Sequence, residues 1–414
     1  MTLNKYLHQT YNLFFCVLCF TLPFEKVLSA APNVMLITLI LLSVFIIKRN
    51  AFKAFMQKEK SYAVFAIFFG VILLFSIING EIENDLFFFQ KLAIPLILIP
   101  LSIPLKTTIH LKITFIIAVL LAILISIYNI VLYINNIGEF SFSQGNIIND
   151  ILIAERLYIG FTCVISLVLS LQLYNHNTLN LKKAVRLLFL INALIILIFL
   201  LFIAARIAII SAVLVCIYFI ITKLKSNYKY IIVFGTIVIT GLLFLANPNL
   251  SKRFFHIHHK YSDSFFEKIK KHEPRYEIWN CSLGFIDYNK ELLIGNGYNK
   301  TKDLLVNCYS NNIEDTERKE WFIKSRFNTH NQFFDILLSS GSIALLLFLL
   351  YLYHLIKIGR VSFLGIGLLV VLILIMLVEN ILHRQVGCYL FAFITILILK
   401  NKRERILKFK ETKD

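Results

Sequence analysis

The stretch LLFLINALIILIFLLFIA, residues 187–204, runs for eighteen residues without a charge. After Ala205 and Arg206 comes IAIISAVLVCIYFII, residues 207–221. At 1.5 Å per helical residue, runs of this length approach the thickness of a hydrocarbon core of about 30 Å. They read as two adjacent membrane helices with one cation between them.

The same texture extends along the chain. Of 414 residues, 58% are hydrophobic and 16% charged, with a mean hydropathy of +0.76, whereas a soluble domain carries roughly 25% charged residues. This composition excludes a cytosolic enzyme and a secreted domain. It predicts an all-α polytopic membrane protein with twelve spans, at about 10–25, 31–47, 61–79, 86–104, 112–134, 155–174, 185–202, 204–222, 229–246, 333–356, 361–378 and 385–400.

The net charge of +18 would suggest nucleic acid in a soluble protein, but here it follows the positive-inside pattern. Alternate connections are basic: Lys48, Arg49, Lys53, Lys58 and Lys60; Lys106 and Lys112; Lys182, Lys183 and Arg186; Lys223, Lys225 and Lys229; Lys357 and Arg360. Those between are acidic or mixed, with Glu81, Glu83 and Asp85 in one, Glu139 and Asp150 in another. No nucleic-acid partner is implied, and both termini are expected in the cytoplasm.

The chain then divides into residues 1–246 with helices one to nine, a long outer segment at 247–332, residues 333–400 with helices ten to twelve, and a basic cytoplasmic tail at 401–414. The apolar stretch around Tyr11–Phe24 is followed by Glu25-Lys26 without a small-residue cleavage site, so it reads as a retained first span. Of seven cysteines, only Cys281 and Cys308 fall in the outer segment. That compartment permits a disulfide, and the sequence leaves the pairing open.

The polar chemistry concentrates in and beside the outer segment. His330-Asn331 precedes Gln332–Ser340 and Gly341. With Asn328 or Thr329 as cap, His330 would stand in the first turn of a helix, where the dipole disfavours an imidazolium. It reads either as a general base or as a helix-end anchor. Eleven residues are about three turns, which would put Gly341 on the same face about 16 Å deeper, where a small-residue patch lets another backbone approach.

Arg206, between two apolar runs, needs a buried partner or an anionic ligand, or it anchors a helix end at the outer interface. Arg275 and Trp279 stand one turn apart in Arg275-Tyr-Glu-Ile-Trp279, and Gly295-Asn-Gly297-Tyr298 follows as a turn. A solvated ion pair with an aromatic anchor is the plainer reading of that arginine. Lys91 and Arg156, at the outer starts of their spans, suit lipid headgroups, or they join Arg206, Arg275 and His330 in an electropositive chamber for a diphosphate. His256, His258 and His259 lack the carboxylate or cysteine spacing of a metal site, so neither metal nor cofactor is expected.

These features together resemble the O-antigen ligase family of the O-antigen ligase and polymerase superfamily, over most of the chain. The resemblance rests on the twelve-span layout, the long outer segment before span ten, Leu22-Pro23-Phe24 before an Asn33-containing helix, and Ala205-Arg206. It also rests on Arg275–Trp279 followed by Gly295-Asn-Gly297, and on His330-Asn331 with nine residues before Gly341.

What the resemblance implies is a metal-independent, inverting glycosyltransferase of the bacterial inner membrane. Such an enzyme moves a glycan from undecaprenyl diphosphate to lipid A-core at the periplasmic face. His330 would take the proton of the acceptor hydroxyl, while Arg206 and Arg275, with Lys91 and Arg156 in support, would bind the diphosphate. Trp279, Asn331 and Gly341 would be structural neighbours. Lysines 268, 270 and 271 leave the acceptor open. The competing expectations are a polymerase of the same superfamily, a relative that glycosylates protein serines, and a lipid or polysaccharide transporter that breaks no bond.

Overall fold

The computed structural model describes residues 2–137, 145–175, 182–223, 228–246, 273–288 and 292–411. The triplet His256, His258 and His259, together with Glu139 and Lys268, Lys270 and Lys271, lies outside the described residues. Among those described, every regular element is helical.

The helices are α1 (Thr2–Thr21), α2 (Ala31–Ile46), α3 (Arg49–Lys58), α4 (Lys60–Ile78), α5 (Ile82–Leu101), α6 (Ile109–Ile137), α7 (Gly145–Ile151), α8 (Arg156–Tyr174), α9 (Lys183–Phe202), α10 (Arg206–Lys223) and α11 (Lys229–Ala246). After these come α12 (Pro274–Tyr288), α13 (Tyr298–Asn312), α14 (Thr316–Ser325), α15 (Gln332–Gly359), α16 (Phe363–Met376) and α17 (Gln385–Glu411).

Each of the twelve predicted spans coincides with a helix, but the helices are not equally suited to crossing a bilayer. Eight of those described are long and apolar enough: α4, α5, α6, α8, α9, α10, α15 and the first 20 residues of α17. The pair α2 and α3 makes a ninth if counted as one span bent by 110°. The chain is a multi-pass membrane protein on this footing. The basic connection 48–60, expected as a loop, is mostly α3, which turns away from α2 and packs its Phe55 on Tyr62 of α4.

Burial separates the centre from the rim. Over a membrane-length window, 83% of α8 and 89% of α17 are buried, against 28% of α9 and α10. Side chains such as Leu188, Ile198 and Leu346 remain exposed, as lipid-facing positions do where the surrounding solvent is itself apolar. The 3-10 turn Leu22–Phe24 leads into α2, where Asn33 Oδ1 accepts from Gln385 Nε2 and Tyr389 Oη, both at 2.8 Å.

Helices α12, α13 and α14 form a small separate core of Ile278, Cys281, Leu305, Tyr309, Ile313 and Phe322. Cys281 and Cys308 are joined, which staples α12 to α13. At the start of α13, Asp85 of α5 accepts from the backbone N–H of Tyr298 at 3.0 Å and of Asn299 at 2.9 Å. A carboxylate there satisfies donors that have no partner within their own helix.

The segment before α13 is locked to α15 by backbone. Helix α15 is broken at Gly341, with φ 81 and ψ 175. Ser342 N–H donates to Leu292 O at 2.7 Å, Asn296 N–H to Leu338 O at 3.0 Å and Gly297 N–H to Ser339 O at 2.8 Å. The chain that approaches Gly341 is therefore a loop and not a second helix, and the break ends the continuous face expected from His330 to Gly341. A Cβ on Gly341 would sit 2.2 Å from Leu293 O, and one on Gly295 2.5 Å from the Ser339 carbonyl carbon.

Gly341→Ala therefore places a side chain in a backbone region open almost only to glycine, a strain of about 1–3 kcal/mol before the clash is added. Thermal unfolding of the purified variant should show that loss, and protease should cut within 292–297 faster than in the parent.

Candidate functional site

The site is assembled where the end of the outer segment meets the connection between α16 and α17. Asn331, and neither Asn328 nor Thr329, caps α15. Its Oδ1 accepts from Phe333 N–H at 2.9 Å and Phe334 N–H at 3.2 Å, and its Nδ2 donates to Leu377 O at 3.2 Å. Asn331 is extended, so helical geometry begins at Gln332.

His330 therefore precedes the cap and is not in the first turn. Asn328 Oδ1 accepts its N–H at 3.1 Å, and its backbone is left-handed at φ 43. The dipole argument made from the sequence does not reach it. What faces the imidazole instead is Glu379, whose Oε2 lies 3.1 Å from Nδ1. In a neutral imidazole this assigns the proton to Nδ1 and leaves Nε2 as the lone-pair nitrogen.

The two arginines are drawn to one carboxylate. Arg206 Nη2 lies 2.8 Å from Glu273 Oε2, and Arg275 Nη1 lies 2.9 Å from Glu273 Oε1. Arg206 opens α10 just after Ala204, a non-glycine residue at φ 50. Arg275 also donates from Nε to Val378 O at 3.2 Å, next to Glu379. One turn along α12, Trp279 Nε1 donates to Thr329 O at 3.1 Å, next to His330. Arg206, Arg275 and His330 are thus linked through Glu273 and residues 378–379.

Exposure sorts these groups by reach. The side chains of Arg206, Arg275 and His330 keep 30%, 26% and 24% of their surface open, against 17% for Glu273 and 12% for Glu379. The bases face outward and the acids stand behind them. Burial pushes both carboxyls up. At Glu273 the charges of Arg206 and Arg275 outweigh it, and at Glu379 the His330 bond and charge do so with help from Arg275 and Arg384. Both end below the ordinary carboxylate value and stay ionised.

The remaining cations lie on one flank. Arg384 pairs with Glu155 at 3.0 Å, Arg156 is buried at the start of α8 with its N–H on Asn149 Oδ1, and Lys91 on α5 is within electrostatic reach of Arg384 and Lys302. The carboxylate of Glu273 holds Arg206 and Arg275, and neither Lys91 nor Arg156 pairs with it. Behind His330 runs a second, partly buried pair: His383 Nε2 lies 2.7 Å from Asp335 Oδ2, and Asn380 Nδ2 donates to Asp335 Oδ1 at 2.9 Å and to Thr329 Oγ1 at 3.0 Å. It fixes the backbone on both sides of the site.

Glu273, Glu379, Arg384 and the His383–Asp335 pair were not singled out in the sequence. A signal existed for one of them: Glu379 is the only acid between residues 361 and 403, and it lies between two spans. A solitary acid there needs a partner.

Fold and site together define a multi-pass membrane protein with paired arginines and a carboxylate-held histidine at one end of its bundle. Residues 191–349 match the family model described as O-antigen ligase. That segment, less than half of the chain, carries Arg206, Arg275, His330 and Gly341. No curated protein matches the chain at a significant level.

Since Glu273 and Glu379 are held below the ordinary value of 4.5, their pairs stabilise the fold in full above about pH 4.5. That contribution fades as the pH falls through the lowered values. Melting curves from pH 7 to pH 3 should show an acid-induced loss that shrinks in the Glu273→Gln, Glu379→Gln double variant.

Proposed function

We propose that the protein is a ligase-type glycosyltransferase of the bacterial inner membrane, with the site at the periplasmic face. It takes a glycan from undecaprenyl diphosphate and passes it to a sugar hydroxyl of lipid A-core. The observation that carries this reading is the convergence of Arg206 and Arg275 on one carboxylate beside the His330–Glu379 pair, with Arg206, Arg275 and His330 all inside the segment that matches the family model.

In this mechanism the acceptor hydroxyl gives its proton to Nε2 of His330, and its oxygen bonds to the anomeric carbon from the face opposite the diphosphate. The bond from that carbon to the phosphate oxygen breaks with its electron pair, so the configuration inverts and undecaprenyl diphosphate leaves. Glu379 keeps the Nδ1 proton in place and stabilises the imidazolium that forms. The negative charge growing on the diphosphate meets the guanidiniums of Arg206 and Arg275, which act as fixed donors in a site partly shielded from water. Lys91 and Arg156 on the flank add to the positive field felt by an approaching donor.

His330→Ala should lower transfer about 10²–10⁴-fold while leaving donor binding intact. Unchanged turnover would remove the base from this mechanism. Arg206→Ala and Arg275→Ala should each weaken donor binding by about 1–3 kcal/mol, the range for hydrogen bonds to charged groups, once folded yield has been checked. The acceptor is decided by incubating labelled polyprenyl-diphosphate glycan with lipid A-core, with a second lipid-linked repeat unit, or with neither. Product with lipid A-core alone supports the ligase reading, and product only with the repeat unit replaces it by a polymerase.

A further inference from the structure

Glu273 is out of character for an anion site. Two guanidiniums that are to receive a diphosphate already hold a carboxylate, one oxygen each, at 2.8 and 2.9 Å. A carboxylate offers two oxygens to two separate donors, as neighbouring phosphoryl oxygens do. Its ionised state is secured by those same arginines.

The surroundings give this arrangement a consequence. The site lies at the end of a bundle whose rim is lipid-facing, so an open pair of arginines would meet phosphodiester headgroups in great excess over any polyprenyl donor. A phosphodiester carries one negative charge, and so does Glu273, which is tethered at the site and thus present at high effective concentration. A monoanion gains little by exchange with it. A diphosphate carries more charge and more oxygens and can engage both guanidiniums at once.

We propose that Glu273 is a specificity-determining residue: an internal competitor that keeps singly charged phosphates off Arg206 and Arg275 and yields to a diphosphate. Glu273 immediately precedes Pro274 of α12 and is outside the helix, so its side chain can leave the arginines while the helix holds Arg275 in place. The inference rests on the proposed role of the two arginines, and the test separates the two.

The full-length protein in neutral-lipid nanodiscs is titrated, in a mildly acidic buffer that keeps inorganic phosphate singly charged, with inorganic phosphate and with pyrophosphate, and binding is read by calorimetry and by thermal shift. The parent should bind pyrophosphate and take phosphate at least about tenfold more weakly. Glu273→Gln, which keeps the shape and removes the charge, should bind both more tightly, gain most for phosphate and so narrow the ratio. Phosphate affinity unchanged in Glu273→Gln, with pyrophosphate bound by the parent, overturns the role of Glu273 alone. Pyrophosphate binding absent from the parent and from Glu273→Gln overturns the arginine site itself. If Glu273→Gln does not fold, the parent decides: phosphate that binds as tightly as pyrophosphate refutes the selectivity.

Discussion

The backbone interlock between residues 292–297 and the break in α15 at Gly341 is the constraint on which the site depends. Opening a membrane-length helix frees N–H and C=O groups at 338–342, and apolar surroundings supply no water to satisfy them. The loop supplies them instead, through Ser342 to Leu292, Asn296 to Leu338 and Gly297 to Ser339. Gly295 and Gly341 are required because either Cβ would meet the opposite backbone well inside van der Waals contact.

From this lock the rest follows by attachment. Tyr298 begins α13 immediately after the loop, Asp85 holds that helix end, and the Cys281–Cys308 bond ties α13 to α12. Helix α12 carries Arg275 and Trp279, whose bonds to Val378 and Thr329 fix it against the two residues that flank the His330–Glu379 pair. The spacing of nine residues between Asn331 and Gly341 is then two anchor points on one helix: its cap and the place where the loop docks.

The charge of the site is more balanced than its cations suggest. Arg206, Arg275 and His330 each face an acid that the sequence reading did not name: Glu273 lies between Arg206 and Arg275, and Glu379 holds His330 within reach of Arg384. A buried or half-buried cation without a counter-charge is costly to hold, and removing one partner of such a pair leaves the other exposed to the full penalty. Those three bases are therefore pre-paired, and on the proposed reading a ligand exchanges for an internal partner.

Local pattern was enough for the helices. Apolar runs of membrane length located helices α1, α2, α4 to α6, α8 to α11 and α15 to α17 closely, because the need to bury backbone polar groups inside a helix is met residue by residue along one segment. It was also enough to mark His330, Arg206 and Arg275 as odd for their surroundings. It missed the cap at Asn331, since Asn328, Thr329 and Asn331 can all cap and only the extended backbone at Asn331 selects one.

The bent α3, the disulfide and the acids opposite each base were decided by tertiary structure. Arg206 and Glu273 are 67 positions apart, and His330 and Glu379 are 49 apart. Which acid meets which base depends on how loop and helix lock at Gly341. The sequence determined that this chain crosses membranes and where its unusual side chains stand. Only the folded bundle determined their partners, because a charge pair is set by distance in space and an apolar run by distance along the chain.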